Sequence, residues 1–190
     1  MNTPAHVVLN MLCLGRQDTA SVLTPVIFGA VLPDAPIFLL YFIERVLKGT
    51  PEGVIWREVY YQEGWQNFID FFNSIPLIAL GFIVAVWVNS KIGMALFSSM
   101  FLHMLGDLPL HHHDAHRHFF PLSNWRFKSP ISYWDSAFHG DMMTRLEILM
   151  VIVSCVTLFL IYQSVPGKVS VGLVGLSYIV YFIYVFTVWM

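Results

Sequence analysis

Residues 71–90 read FFNSIPLIALGFIVAVWVNS, and no charged side chain falls between Asp70 and Lys91. A helix needs about 20 apolar residues to cross the roughly 30 Å of hydrocarbon in a bilayer, and this run is that long. Two similar runs follow, one between Glu147 and Lys168 and one from Val169 to Met190. Hydrocarbon offers the backbone no water, so each segment must satisfy its own hydrogen bonds, which a helix does. The period-two alternation of a membrane barrel strand is not visible. The runs therefore predict an all-α integral membrane bundle.

Composition agrees with that reading. Of 190 residues, 57% are hydrophobic and 12% charged, with a mean hydropathy of +0.66. Soluble domains carry about 25% charged residues, twice as many. A net charge of −2 and a pI near 6.4 leave no basic footprint for nucleic acid. Cys13 and Cys155 lie in apolar stretches without a spaced partner and read as small hydrophobes. The first residues lack the basic region, apolar core and small-residue site of a cleaved signal peptide. With no internal repeat or low-complexity linker, residues 1–190 are expected to form a single membrane domain.

Working outward, residues 3–15 predict a short helix, with Thr3 as cap, Pro4 in the first turn and Gly15 at the end. It is too short to span, so it is expected to lie in or just under the interface. Residues 19–48 form a first apolar segment, interrupted by Pro33, Asp34 and Pro36, where a break is expected. Residues 49–67, with Trp56, Tyr60, Tyr61 and Trp65, suit an interfacial connection. Further spans are expected at 68–89, 92–110, 143–163 and 169–189, making about five. They leave 111–141 as a histidine-rich and aromatic excursion. With this order Arg45, Lys48, Arg57, Arg117, Arg126, Lys128 and Arg145 fall on one side, and Arg16, Lys91 and Lys168 on the other. That bias places the excursion in the cytoplasm.

Six of the eight histidines lie between positions 103 and 118. His103 and Asp107 are four apart on an expected helix and so share a face. Pro109 should end that helix and deliver His111, His112 and Asp114 at the membrane edge. Imidazole with carboxylate is a ligand set for zinc, iron or manganese. Buried carboxylates are costly unless a cation compensates them, and Asp34 is a second one within a span. His103, Asp107, His111 and His112, joined by His6 and Asp34, are therefore the expected ligands of a divalent metal, zinc first. A pH sensor or a solvated loop is the plainer reading of such a histidine run. His139 and Glu147 are read as structural. Between Phe119 and Asp135 the aromatics suit an interfacial belt or a lid, with Arg126 and Lys128 available to an anionic substrate.

The order of these features resembles the membrane-bound, metal-dependent hydrolase family of bacteria. Thr3-Pro4-Ala5-His6, Leu32-Pro33-Asp34 and His103 with Asp107 match its motifs in sequence. Pro109, His111-His112, Asp114, His118-Phe119, Pro121-Leu122, Trp125 and Ser132-Tyr133-Trp134-Asp135 resemble a small branch sometimes labelled as cobalamin-biosynthesis proteins. The His-Arg-Gly-x-Thr-His-Ser motif of the better-known branch is absent, and His116-Arg117-His118 is the nearest element. A looser similarity exists to zinc-dependent phospholipases C, which also use His-x-x-x-Asp. The resemblance covers roughly residues 1–140. It implies a bacterial inner (plasma or photosynthetic) membrane and a lipid or other amphiphilic ester or phosphoester as substrate. One or two metals would activate a water, with Asp114 or His118 as general base.

A different class also fits the residues: an accessory or assembly subunit of a larger membrane complex, its histidines holding a structural metal, haem or chlorophyll. The Val-Gly-Leu-Val-Gly-Leu stretch at 171–176 would permit close helix contact in either case. A metal transporter would need polar residues along a full crossing path, which the other spans lack.

Overall fold

The computed structural model describes residues 1–16 and 18–188, and every regular element among them is helical, with no strand. Four helical stretches are long and apolar enough to cross a membrane: Ala20–Leu47, Glu63–Trp87, Gly140–Ile161 and Val165–Val185. Their outward faces are apolar. Leu149, Ile152, Val156, Leu173, Ile179 and Ile183 are each more than half exposed. In water such a surface would be a liability, and in lipid it is the expected exterior.

The N-terminal helix α1 (Thr3–Leu14) does not rest on the outside of the bundle. Ala5, Val8 and Met11 are fully buried, in one core with Leu23, Val26, Ala30, Val151, Leu158 and Tyr162. Asn2, rather than Thr3, occupies the N-cap position, and the Thr3 hydroxyl instead donates to Asp34 Oδ2 at 2.5 Å. The expected break in the first span is milder than its prolines suggest. Helix α2 (Ala20–Val31) tightens into a 3-10 turn at Leu32–Asp34 and continues as α3 (Ala35–Tyr41) and a π turn (Phe42–Leu47). A 3-10 turn regroups the hydrogen bonds that a proline disrupts, so the helical path persists while Asp34 stays on the turn.

After a short helix, α4 (Glu52–Val54), and a second π turn (Ile55–Val59), the chain enters α5 (Glu63–Phe72) and α6 (Ile75–Trp87). The expected span at 68–89 is thus two helices, parted at Asn73–Ser74. Ser74 caps α6 by accepting from the Leu77 amide, and Pro76 sits in the first turn. Helix α7 (Lys91–Asp107) has 17 residues, about 26 Å at 1.5 Å per residue, and ends three residues short of the expected 110. Helices α8 (Gly140–Ile161) and α9 (Val165–Val188) complete the bundle.

The packing of α2 on α7 sets the site. Gly29 lets the backbones approach, for a Cβ there would stand 2.3 Å from the Leu96 carbonyl oxygen and 2.7 Å from Ser99 Cβ. Ser99 Oγ donates to the Val26 carbonyl at 2.6 Å, and Asn10 Nδ2 from α1 donates to both Ser99 oxygens at 2.8 Å. One turn further along both helices, His103 Nδ1 donates to the Ala30 carbonyl at 2.7 Å. Hydrogen bonds between helices in an apolar medium thus fix which way His103 turns.

Candidate metal centre

A carbonyl oxygen can only accept, so the bond to Ala30 puts a proton on His103 Nδ1 and leaves Nε2 as the atom that faces the site. Nε2 is aimed at carboxylates. Nε2 lies 3.0 Å from Asp107 Oδ2 and 3.6 Å from Asp34 Oδ1, and it is buried with no aligned hydrogen-bond partner. An imidazole nitrogen facing two carboxylates calls for a cation there, either a proton on Nε2 or a metal ion in its place. The His6 ring stacks on His103 with centroids 3.6 Å apart and 14° between planes, and its Nε2 is 2.8 Å from Asp107 Oδ1. His6 reaches this place over Gly106, where a Cβ would stand 3.1 Å from the imidazole Cε1.

His6, His103 and Asp107, all buried, bring their ligand atoms within 4.8 Å of one another. Asp107 belongs to a second such group with His111 and His116. His111 Nε2 is 3.2 Å from Asp107 Oδ1, and its Nδ1 is 2.9 Å from Asp114 Oδ2. The Met1 ammonium lies 2.7 Å from the same Asp107 oxygen. A buried His/Asp group of this kind could hold a metal ion, since imidazole and carboxylate donors suit a borderline-soft divalent cation.

Outside the spans, the loop groups carry shifted pKa values. Burial disfavours charge on His111, but the Asp107 and Asp114 carboxylates outweigh it and raise its pKa to about 9. Burial also works against the Asp114 anion, yet the His111 ring beside it holds its pKa at about 2. His116 is pushed down to about 3 by burial and by the charge of His111.

The expected ligands therefore divide. His6, His103, Asp107 and His111 converge, and Asp34 faces His103 Nε2. His112 turns away: its Nδ1 donates to the Ser129 carbonyl at 2.5 Å and its ring stacks on Phe138 at 3.6 Å. Asp114 stands behind His111, where it also accepts from Trp134 Nε1 at 3.0 Å, so it orients a ligand rather than touching a water beside Asp107. His118 points to the Asn73 carbonyl, and its own carbonyl accepts from the Ile75 amide at 2.8 Å. It pins the loop to the break between α5 and α6.

Arg126 does not stand free for an anion. Its guanidinium donates to the Ala115 carbonyl, to Gln66 Oε1 at 3.1 Å and to Asp70 Oδ2 at 3.4 Å. Lys128 is exposed on the same loop. Two residues outside the expected set matter here, His116 in the second ligand group and Asp70 behind the loop. Asp70 is fully buried and accepts from the Arg117 amide at 3.0 Å and from Arg117 Nε as well as from Arg126. Asp70 thereby ties the loop carrying His111, Asp114 and His116 to α5. The aromatic stretch also gains a role beyond a belt, because Trp134 holds Asp114 and the Tyr133 ring lies 5.1 Å from that of His111.

No family model, curated protein or solved structure matches this chain.

Proposed function

We propose that the chain is a membrane-embedded, metal-dependent hydrolase acting on a lipid or other amphiphilic ester or phosphoester. The observation that carries this reading is the orphaned Nε2 of His103, locked by Ala30 and aimed at Asp107 and Asp34 beside His6. His6, His103 and Asp107 would hold the ion, zinc by preference. Three protein ligands leave a tetrahedral ion one open position, the pattern of catalytic rather than structural zinc. A bound zinc would lower the pKa of a water to about 7 and polarise the substrate oxygen. Asp34, with 14% of its side chain exposed and its Oδ1 facing His103, would serve as the general base. Thr3 holds the other Asp34 oxygen and fixes its orientation.

An amphiphile suits the surroundings. The site sits where α7 ends, and an apolar groove of about 500 Å³ between α2 and α7 is lined by Pro25, Phe28, Leu32, Ile92 and Leu96. Leu32 shares its 3-10 turn with Asp34, so an acyl chain in the groove would bring its ester toward the carboxylate. The positive-inside bias favours the cytoplasmic side for this edge, and a bacterial inner membrane is the location that the resemblance noted above implies.

Detergent-purified protein is expected to hold zinc and to hydrolyse an ester- or phosphoester-linked lipid in mixed micelles. Chelation should abolish turnover and added zinc restore it, while His103→Ala should lose ion and turnover together. A folded protein that binds no metal, or turnover unchanged by His103→Ala, would refute the reading and favour the accessory-subunit role.

A further inference from the structure

We infer that the cluster holds a second divalent ion between Asp107, His111 and His116, so that the Asp107 carboxylate bridges two metals. This rests on reading the cluster as a metal site, and it adds a ligand, His116, and a stoichiometry.

The two ligand groups share only Asp107. Its Oδ2 faces His103, while its Oδ1 is shared by His6 of the first group and His111 of the second. Two-metal hydrolytic sites hold their ions about 3.5–4 Å apart, a spacing that a single bridging carboxylate spans.

The second half-site has its own supports. His116 is 2% exposed and its Nδ1 has no hydrogen-bond partner among the described residues, although Asp70 Oδ1 lies 3.8 Å away. A histidine buried in this way without a donor or acceptor is costly, and an ion on the ring would account for its position. His111 shows the arrangement typical of a metal-bound histidine. A carboxylate, Asp114, sits at Nδ1, leaving Nε2 to face the shared Asp107, and Trp134 fixes the carboxylate in turn. Each half-site thus has two histidines and one carboxylate in common, and a pair of ions would offset the negative charge that Asp34, Asp107 and Asp114 concentrate here.

The test is metal stoichiometry of the detergent-purified protein with zinc alone, joined to electron paramagnetic resonance of the manganese-loaded form. About two equivalents of zinc are expected in the unaltered protein, falling to about one in His116→Ala and about one in His6→Ala. Manganese should give an exchange-coupled spectrum in the unaltered protein and an isolated-ion spectrum in His116→Ala. The first spectrum needs no variant, so misfolding of His116→Ala cannot mask the result. One equivalent in the unaltered protein, lost in His103→Ala and kept in His116→Ala, would overturn the second site while leaving the hydrolase reading intact. No metal in the folded protein would overturn both.

Discussion

Asp107→Ala is expected to strip the protein of all its metal and to reduce hydrolysis to background, the largest functional effect of any single change. Both ligand groups converge on this residue, with His6, His103 and His111 within 3.2 Å of its oxygens. Loss of a residue that merely orients a ligand typically costs about 10–100-fold in metal affinity or activity, so loss of the shared ligand should exceed about 100-fold. Asp107→Asn keeps the shape of the side chain but lacks its charge, and it separates the loss of a ligand from the loss of packing. It should also fail to bind metal, and although it leaves the buried Met1 ammonium without its carboxylate, it should melt above Asp107→Ala because the packing is kept. Elemental analysis with a thermal melt of both variants checks this. Full metal content in Asp107→Asn would show that the ion lies elsewhere.

Asp70→Asn is expected to cause the largest loss of stability, about 3 kcal/mol, because breaking a buried ion pair strands the partner charge. Asp70 is fully buried and serves the Arg117 amide, the Arg117 guanidinium and Arg126 together. Without its charge, neither arginine keeps a carboxylate within salt-bridge distance among the described residues. The loop should loosen from α5, bringing lower melting temperatures in detergent and faster proteolysis between Ala115 and Arg126. The half-site of His6 and His103 stands on helices and should keep its ion, so partial metal loss is expected where Asp107→Ala gives total loss. An unchanged melting temperature would mean that Arg117 and Arg126 find other partners.

The spans were legible because lipid imposes a simple requirement: about 20 residues without charge, visible at 71–90 and again toward the C-terminus. The shared face of His103 and Asp107 was legible for a similar reason, since helical periodicity fixes it locally. Other features depend on contacts distant in sequence. His6 meets Asp107 across 101 residues, and no local pattern specifies that α1 would enter the core. In the irregular loop after Pro109 there is no period to say which histidine turns inward. There the backbone and Phe138 take His112 away while the chain brings His116 back. Asp70 looked like no more than the last charge before an apolar run, and Arg126 looked free for an anion. Each is the other's partner, a pairing that only tertiary structure reveals. Gly29 and Gly106 were equally silent, although both are places where a side chain would collide with the site's supports.

Metal binding by His6, His103 and Asp107 underlies the proposed function. Its most direct test is an anomalous difference map, recorded on either side of the zinc absorption edge, from crystals of the zinc-loaded protein. A strong peak is expected between the Nε2 atoms of His6 and His103 and the Asp107 carboxylate. A map of the folded protein with no peak there, or with zinc only at His112 and His113 on the loop, would contradict it.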